Sequence, residues 1–259
     1  MKRERPQHPN FDAAIKVKRT HPSIDMLVSD TALHDHLWSR GGLDGSHKLT
    51  LGTALALNSP IAGSLEIQLV ALLPHMWQGR TKPLIDNLLN DSEQFRNTRA
   101  ELGFAMWLLG QGAQVRLGEV FHDGKDVDVV VSDGISERFV DVISLASETV
   151  GAHDGFADLD PDRSVAKQMW GKVVTKYNTK FKAAKEAGWD GSAWVALNYA
   201  QNESLFLEQW LRTLLGKPAW QDEVAEEIKK RAPELDGVVY FAYMGNVPSC
   251  EPPVWMSLK

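Results

Sequence analysis

A single cysteine, Cys250, is all the chain carries in 259 residues, so no intramolecular disulfide can form and a zinc site built from several cysteines is excluded. An excess of positive charge is also missing. The formal net charge is −6, so the molecule as a whole is not a polycation made for nucleic acid, although a local basic surface can still steer one. The longest apolar-leaning run, Ile61 to Leu73, is interrupted by Glu66 and Gln68 and is too short to span a bilayer. There is no internal repeat or low-complexity tract. The stretch from Met1 to Pro9 is polar and charged with no apolar core behind it, unlike a signal peptide. These absences lead us to expect a soluble, cytoplasmic protein with no membrane partner. Familiar motifs are lacking as well: no Gly-x-Ser-x-Gly elbow for a serine hydrolase, no Walker A loop, and no Gly-x-Gly-x-x-Gly after a strand for a nucleotide cofactor.

Apolar residues make up 43% and charged residues 24%, an ordinary globular balance with ample material for a core. Residues 1–90 read as a helical N-terminal region, with a loose tail at the start and a helix from Pro22 to Arg40 closed by Gly41-Gly42. Further helical patterning runs from Ser64 to Leu89, interrupted at Pro74 and Pro83. Residues 91–259 read as an α/β domain. Asn97 to Gly110 predicts a helix ended by Gly112. Gln114–Val120, Val127–Ser132 and Arg138–Leu145 then predict a three-stranded meander, with turns at Asp123-Gly124 and Asp133-Gly134.

An Asp-rich loop from Gly151 to Asp162 leads to a long helix from Asp162 to Ala187. Its stripe of Ala166, Trp170, Val173, Tyr177, Phe181 and Ala184 steps by three and four and predicts one buried face. A buried strand, Ser192–Tyr199, follows. Helices near Glu203–Leu215 and Ala219–Arg231 and a last strand, Val238–Met244, complete the chain.

Glu101, Asp128 and Asp141 carry the chemistry. Two aspartates on neighbouring strands can meet at one edge or face of a sheet, and a helix packed nearby can add a glutamate. Hydrolysing a phosphodiester at neutral pH calls for a hard cation to activate water and stabilise charge, and Mg²⁺ takes one or two carboxylates plus water. Asp141 sits inside the apolar strand Phe139-Val140-Asp141-Val142-Ile143, where a charge needs a partner or a metal. Asp126 shares the strand face of Asp128 and is an alternative ligand or a turn acid.

In Glu101-Leu-Gly-Phe-Ala105, Leu108, Gly112 and Val115, then Asp128-Val-Val-Val and Val140-Asp141-Val-Ile143, the chain resembles the PD-(D/E)XK nuclease superfamily over roughly residues 95–200. The resemblance implies a restriction-endonuclease-like core (helix, three-strand meander, helix, strand) with C-terminal additions. It further implies Mg²⁺ or Mn²⁺ held by Glu101, Asp128 and Asp141, and cleavage of nucleic acid, DNA more than RNA. Two positions depart from the family. Val127 stands where a proline is usual, and Ile143 stands in the lysine position, where it can neither hold a water nor stabilise a phosphate. Some members of such families relocate this lysine, and Lys125, Lys167, Lys172, Lys176 or Lys180 could substitute, with Lys125 out of phase on an ideal strand. The alternative is an inactive nuclease-like scaffold that binds nucleic acid or a protein partner.

The long helix has no acid between Arg163 and Lys185, and Lys172, Lys176 and Lys180 are its candidate phosphate contacts; a solvated helix face is the alternative. Gln168 is a further residue that could lie near the acids. Trp170 and Trp194 fall at buried phases, while the other seven tryptophans are not assigned. His34-Asp35-His36 is expected to be an exposed pair, because residues two apart on a helix diverge. A homo-oligomer is left open.

Overall fold

A six-stranded mixed sheet in the order β1-β4-β5-β6-β7-β8 organises the protein. The computed structural model describes residues 7–39, 50–90, 92–144, 161–199, 218–243 and 253–259. In chain order its helices are α1 (Phe11–Lys18), α2 (Pro22–Leu27), α3 (Asp30–Ser39), α4 (Leu51–Ala56), α5 (Pro60–Leu72), α6 (Thr81–Leu88) and α7 (Ser92–Gly110), then α8 (Pro161–Lys180), α9 (Lys182–Glu186) and α10 (Pro218–Arg231). The strands are β1 (Gln114–Leu117), β2 (Val120–His122), β3 (Lys125–Asp126), β4 (Val129–Ser132), β5 (Glu137–Ser144), β6 (Ser192–Asn198), β7 (Gly237–Phe241) and β8 (Val254–Ser257).

The meander is present, with an insertion. β1, β4 and β5 pair antiparallel, but the Asp123-Gly124 turn joins β2 to β3 in a small separate hairpin rather than joining β1 to β4. Asp123 and Gly124 both have positive φ, 45° and 72°, as a tight hairpin turn requires. The second turn falls where expected. There Asp133 Oδ1 accepts from the backbone N–H of Ile135 and Ser136 at 3.0 and 2.9 Å.

From β5 onward the sheet turns parallel, β5 to β6 and β6 to β7, because α8 and α10 carry the chain back across one face. β8 runs antiparallel along β7 and was not anticipated. The helix expected over 203–215 lies outside the described residues, as do Cys250 and most of the Asp-rich loop.

Strand alternation divides the core into two layers. Val129, Val131, Val140 and Val142 pack with α7 and the N-terminal helices. Val130, Phe139, Val195, Leu197 and Val238 pack with Trp170, Val173, Tyr177 and Phe181 of the long helical segment. The predicted stripe is therefore buried from Trp170 onward, and Ala184 with it. The helix breaks once, at Phe181 (φ −102°, ψ −31°), and stops at Gly188 (φ 88°). Helices α1 to α6 feed the first layer: Ala14, Leu33, Leu65, Leu84 and Leu88 join the same buried cluster as Phe95 and Phe104.

Two details of the N-terminal region differ from expectation. The helix over 22–40 splits, with Val28 extended (φ −106°, ψ 109°). Buried Lys18 closes the break, its Nζ lying 2.6 Å from Asp25, 2.8 Å from Asp30 and 2.8 Å from the Val28 carbonyl. Pro74 does interrupt α5, yielding a 3₁₀ turn at Leu73–His75. Pro83 lies in the first turn of α6, where no N–H partner is needed, so it interrupts nothing.

Phe181 is fully buried and its ring lies 5.5 Å from Phe121 and 6.1 Å from Trp189, parallel to the latter within 9°. Phe181→Ala is expected to cost about 3–5 kcal/mol, read as a lowered urea midpoint at unchanged slope.

Candidate active site

The sequence-predicted acids converge. Asp128 lies just ahead of β4, where Gly118 N–H donates to its carbonyl at 3.1 Å. Its side chain reaches across to β5, and Oδ2 accepts from the backbone N–H of Val142 at 2.8 Å. Asp141, one residue back on β5, is completely buried. It is paired with Val195 of β6, on the pleat that faces α8. Glu101 approaches from α7, buried with its neighbours Ala100 and Leu102.

Cations separate these acids. Lys176 Nζ lies 2.7 Å from Asp141 Oδ2, and Lys180 Nζ lies 3.7 Å from Asp141 Oδ1 and 3.1 Å from Asp126 Oδ1. The two lysines stand four residues apart and so share one helix face. They are not free phosphate contacts, as the sequence suggested, but partners of the acids; Lys172, one turn earlier, is half-buried. Lys125 donates to the Thr179 carbonyl at 3.3 Å, and Lys167 is exposed, so neither joins the site. Ile143 packs into the apolar layer beneath α8. The side chain of Gln168 lies outside the described residues.

Sequence reasoning missed Arg80. Its Nη2 sits 2.7 and 2.6 Å from the two Glu101 oxygens and 3.4 Å from Asp128 Oδ1, while Nη1 lies 3.4 Å from Asp126 Oδ2. Arg80 ends the 3₁₀ turn Gln78–Arg80, which Trp77 pins to β1 by donating to the Leu117 carbonyl at 3.0 Å. Gly118 makes room: a Cβ there would meet Arg80 Cδ at 2.4 Å, and its φ is +67°. No local pattern around Trp77-Gln-Gly-Arg80 marks this role. Only the pairing of a distant segment with the end of β1 does.

Burial and crowding govern the protonation states. Burial first, and the Asp128 charge second, push Asp141 up to about 7 against the pull of Lys176 and Lys180. The same two causes push Glu101 up to about 8, opposed by Arg80. Arg80 Nη2 nevertheless donates to both Glu101 oxygens at 2.7 and 2.6 Å, a charge-assisted contact that favours the ionised acid against the effect of burial. Burial alone would lower Lys176, but Asp141 and Asp128 outweigh it and hold the ammonium protonated above the usual lysine range. Asp128, Asp126, Lys176 and Lys180 retain side-chain exposure of 15, 37, 25 and 26%. They form a partly exposed rim above the fully buried Asp141.

Elsewhere the candidates resolve differently. His36 is buried rather than exposed; Nε2 accepts from Gly52 N–H at 3.2 Å, so Nδ1 is the protonated nitrogen and donates to the Leu89 carbonyl at 2.7 Å. It fixes α3 to the α4 and α6 ends and serves no metal. Trp170 and Trp194 are buried as expected. Among the described residues no group of three or more His, Cys, Asp and Glu side chains is arranged to hold a metal ion, and no helix is long and apolar enough to cross a membrane. Comparison with protein-family models, curated proteins and solved structures gave no match.

The Asp141 proton sets a pH dependence. An unfolded aspartate titrates near 3.8 and the folded one at about 7, so between these values the folded chain holds a proton that the unfolded chain has released. That stabilising contribution is complete below the lower value and lost as pH rises through the upper one. Urea midpoints of the metal-free protein from pH 4 to pH 8 are expected to carry this fall, and Asp141→Asn to flatten it. An unchanged profile would contradict the assignment.

Proposed function

We propose that this chain is a metal-dependent nuclease that hydrolyses phosphodiesters in nucleic acid, DNA more than RNA. The observation that carries the reading is Lys176 Nζ at 2.7 Å from Asp141, next to Asp128. A lysine from α8 thus stands beside the acid pair whose usual lysine position is filled by Ile143. The order α7, β1, β4, β5, α8, β6 supports a restriction-endonuclease-like core, with β2 and β3 as an insertion.

Asp128 and Asp141 suit one hard divalent cation, because Mg²⁺ is commonly bound by one or two carboxylates and keeps its remaining waters. Asp141 Oδ2 is paired with Lys176 Nζ at 2.7 Å and Oδ1 faces Lys180 Nζ at 3.7 Å, so a cation binding there would have to displace these ammonium groups. When bound, Mg²⁺ or Mn²⁺ would supply charge stabilisation at phosphate and an acidified water.

The protein's own groups do the rest. The Val142 N–H fixes the Asp128 carboxylate. Lys180, tied to Asp126 and Asp141 together, braces the rim. Lys176 stays protonated, so it acts as a hydrogen-bond donor to a phosphate oxygen or to water and not as the base. Glu101 holds Arg80 in place instead of serving as a direct metal ligand.

Engagement of Glu101 by Arg80 also favours a second reading, a nuclease-like scaffold that binds nucleic acid or a protein without cutting. Incubation with plasmid, linear DNA and RNA in Mg²⁺ or Mn²⁺ separates the two. Cleavage is expected, abolished by chelation and by Asp141→Ala, and lowered about 10²–10³-fold by Lys176→Met, the size of effect seen when one transition-state donor is lost. Cleavage that survives Asp141→Ala defeats the assigned roles. A folded protein inert on all three substrates, with no heat on titrating either cation, leaves the scaffold.

A further inference from the structure

Among the described residues the buried lysine and arginine side chains are Lys18, Arg80 and Arg99. Lys18 touches Asp25 and Asp30, and Arg80 touches Glu101. Arg99, only 3% exposed, meets no carboxylate among the described residues. Its Nη2 faces two neutral hydroxyls instead, Tyr243 at 3.2 Å and Ser64 at 3.4 Å, and its Nε is buried without a hydrogen-bond partner. Arg96, three residues earlier on α7 and so its neighbour on the helix surface, is half-buried. It too lacks a carboxylate partner among the described residues, and its Nε is likewise buried and unbonded. A buried charge is costly unless it is paired. An unmatched arginine pair in a chain of net charge −6 therefore calls for an anion from outside. We propose that Arg96 and Arg99 bind a phosphate group, brought by a small molecule, beside Ser64, Gln68 and Tyr243.

The surroundings hold the guanidinium in place without neutralising it. Buried Asn198, at the end of β6, fixes Tyr243 by accepting from its backbone N–H at 2.9 Å. Gly103, one turn beyond Arg99 on α7, admits the Tyr243 ring, since a Cβ there would meet its Cδ2 at 2.3 Å. The rings of Tyr243 and Phe95 each lie 5.8 Å from the Arg99 guanidinium carbon, a cation–π setting that orients the group. Gln68 Nε2 donates to the Tyr243 hydroxyl at 2.6 Å and leaves its Oε1 buried without a partner. A half-turn of that amide puts an NH₂ donor where the unpartnered oxygen now stands. Burial pulls the Arg99 pKa down from its usual range, opposed by Tyr243, whereas at Arg80 burial is outweighed by Glu101, Asp128 and Asp126. The guanidinium nevertheless stays charged at any working pH. Two such charges match a phosphate monoester of about −1.5 to −2 and exceed the single charge of a carboxylate. Glu101 is two residues from Arg99 and so projects to a different side of α7, which keeps this cluster apart from the acid site.

Calorimetric titration of the full chain with inorganic phosphate, at ionic strength matched with chloride and with no divalent metal present, tests this independently of cleavage. The native protein is expected to give a saturable heat for one phosphate per chain and a urea midpoint that rises with phosphate. Arg96→Met is expected to weaken binding about tenfold or more, the loss of one charge-assisted contact, and Arg99→Met to abolish it. Lys82→Met, which removes an exposed lysine paired with Asp86, is expected to bind as the native chain does. Adenosine 5′-monophosphate in place of inorganic phosphate identifies the source. Tighter binding marks an organic monoester, equal or weaker binding marks the free ion, and either supports the site. No saturable heat in the native chain overturns the proposal. So does binding that survives both arginine substitutions, or that falls equally in Lys82→Met, or acetate binding as tightly as phosphate. Should Arg99→Met fail to fold, the native titration and Arg96→Met decide. None of these outcomes bears on the nuclease reading, which rests on the other side of α7.

Discussion

Four carboxylates, Glu101, Asp126, Asp128 and Asp141, gather at the start of β4 and the middle of β5 against three cations, Arg80, Lys176 and Lys180. One negative charge remains unmatched around the fully buried Asp141. Burying an uncompensated charge is costly, and a group so placed takes up a proton or binds a cation. Asp141 does the former in the metal-free protein, pushed to about 7. A divalent ion would do the latter. The protein tolerates the imbalance because the rest of the site is held from three sides: by the β4–β5 register, which sets Asp128 beside Val142; by α8, which presents Lys176 and Lys180 from one face; and by the turn ending at Arg80.

That last support ties the N-terminal region to the acid cluster. Its helices share a buried layer with α7 and the sheet, through Leu84, Leu88 and Phe95, and the 3₁₀ turn before α6 delivers the guanidinium. Truncating a buried arginine that satisfies three acids would leave those acids facing one another, an effect far larger than the loss of a surface ion pair. Gly118 is the complementary half of the device. Its positive φ turns the chain after β1, and its missing side chain opens the passage for Arg80.

The acids were legible in the sequence because their signal is local. An aspartate in the middle of an apolar strand is conspicuous, and helix–strand order places its neighbours. The lysines of α8 were legible only as a charge run; their role depends on the angle at which the helix crosses β5, which no spacing encodes. Arg80 was invisible, since its partners lie 21 to 48 residues away and its own segment has no repeating pattern. His36 misled for a related reason. Residues two apart on a helix diverge, which suggests an exposed pair, whereas tertiary packing supplies His36 with a backbone donor and a backbone acceptor. The hairpin of β2 and β3 shows how turn chemistry can be read correctly at Asp123-Gly124 while the strands it joins are assigned one step too far along.

The decisive observation is where a cation settles. Crystals grown with Mn²⁺ should show one anomalous-scattering peak bounded by Asp128 and Asp141, with Lys176 nearby and Arg80 still on Glu101. A peak elsewhere, or no peak at millimolar Mn²⁺ with those carboxylates still held only by lysine and arginine, would contradict a metal-binding role for this acid pair.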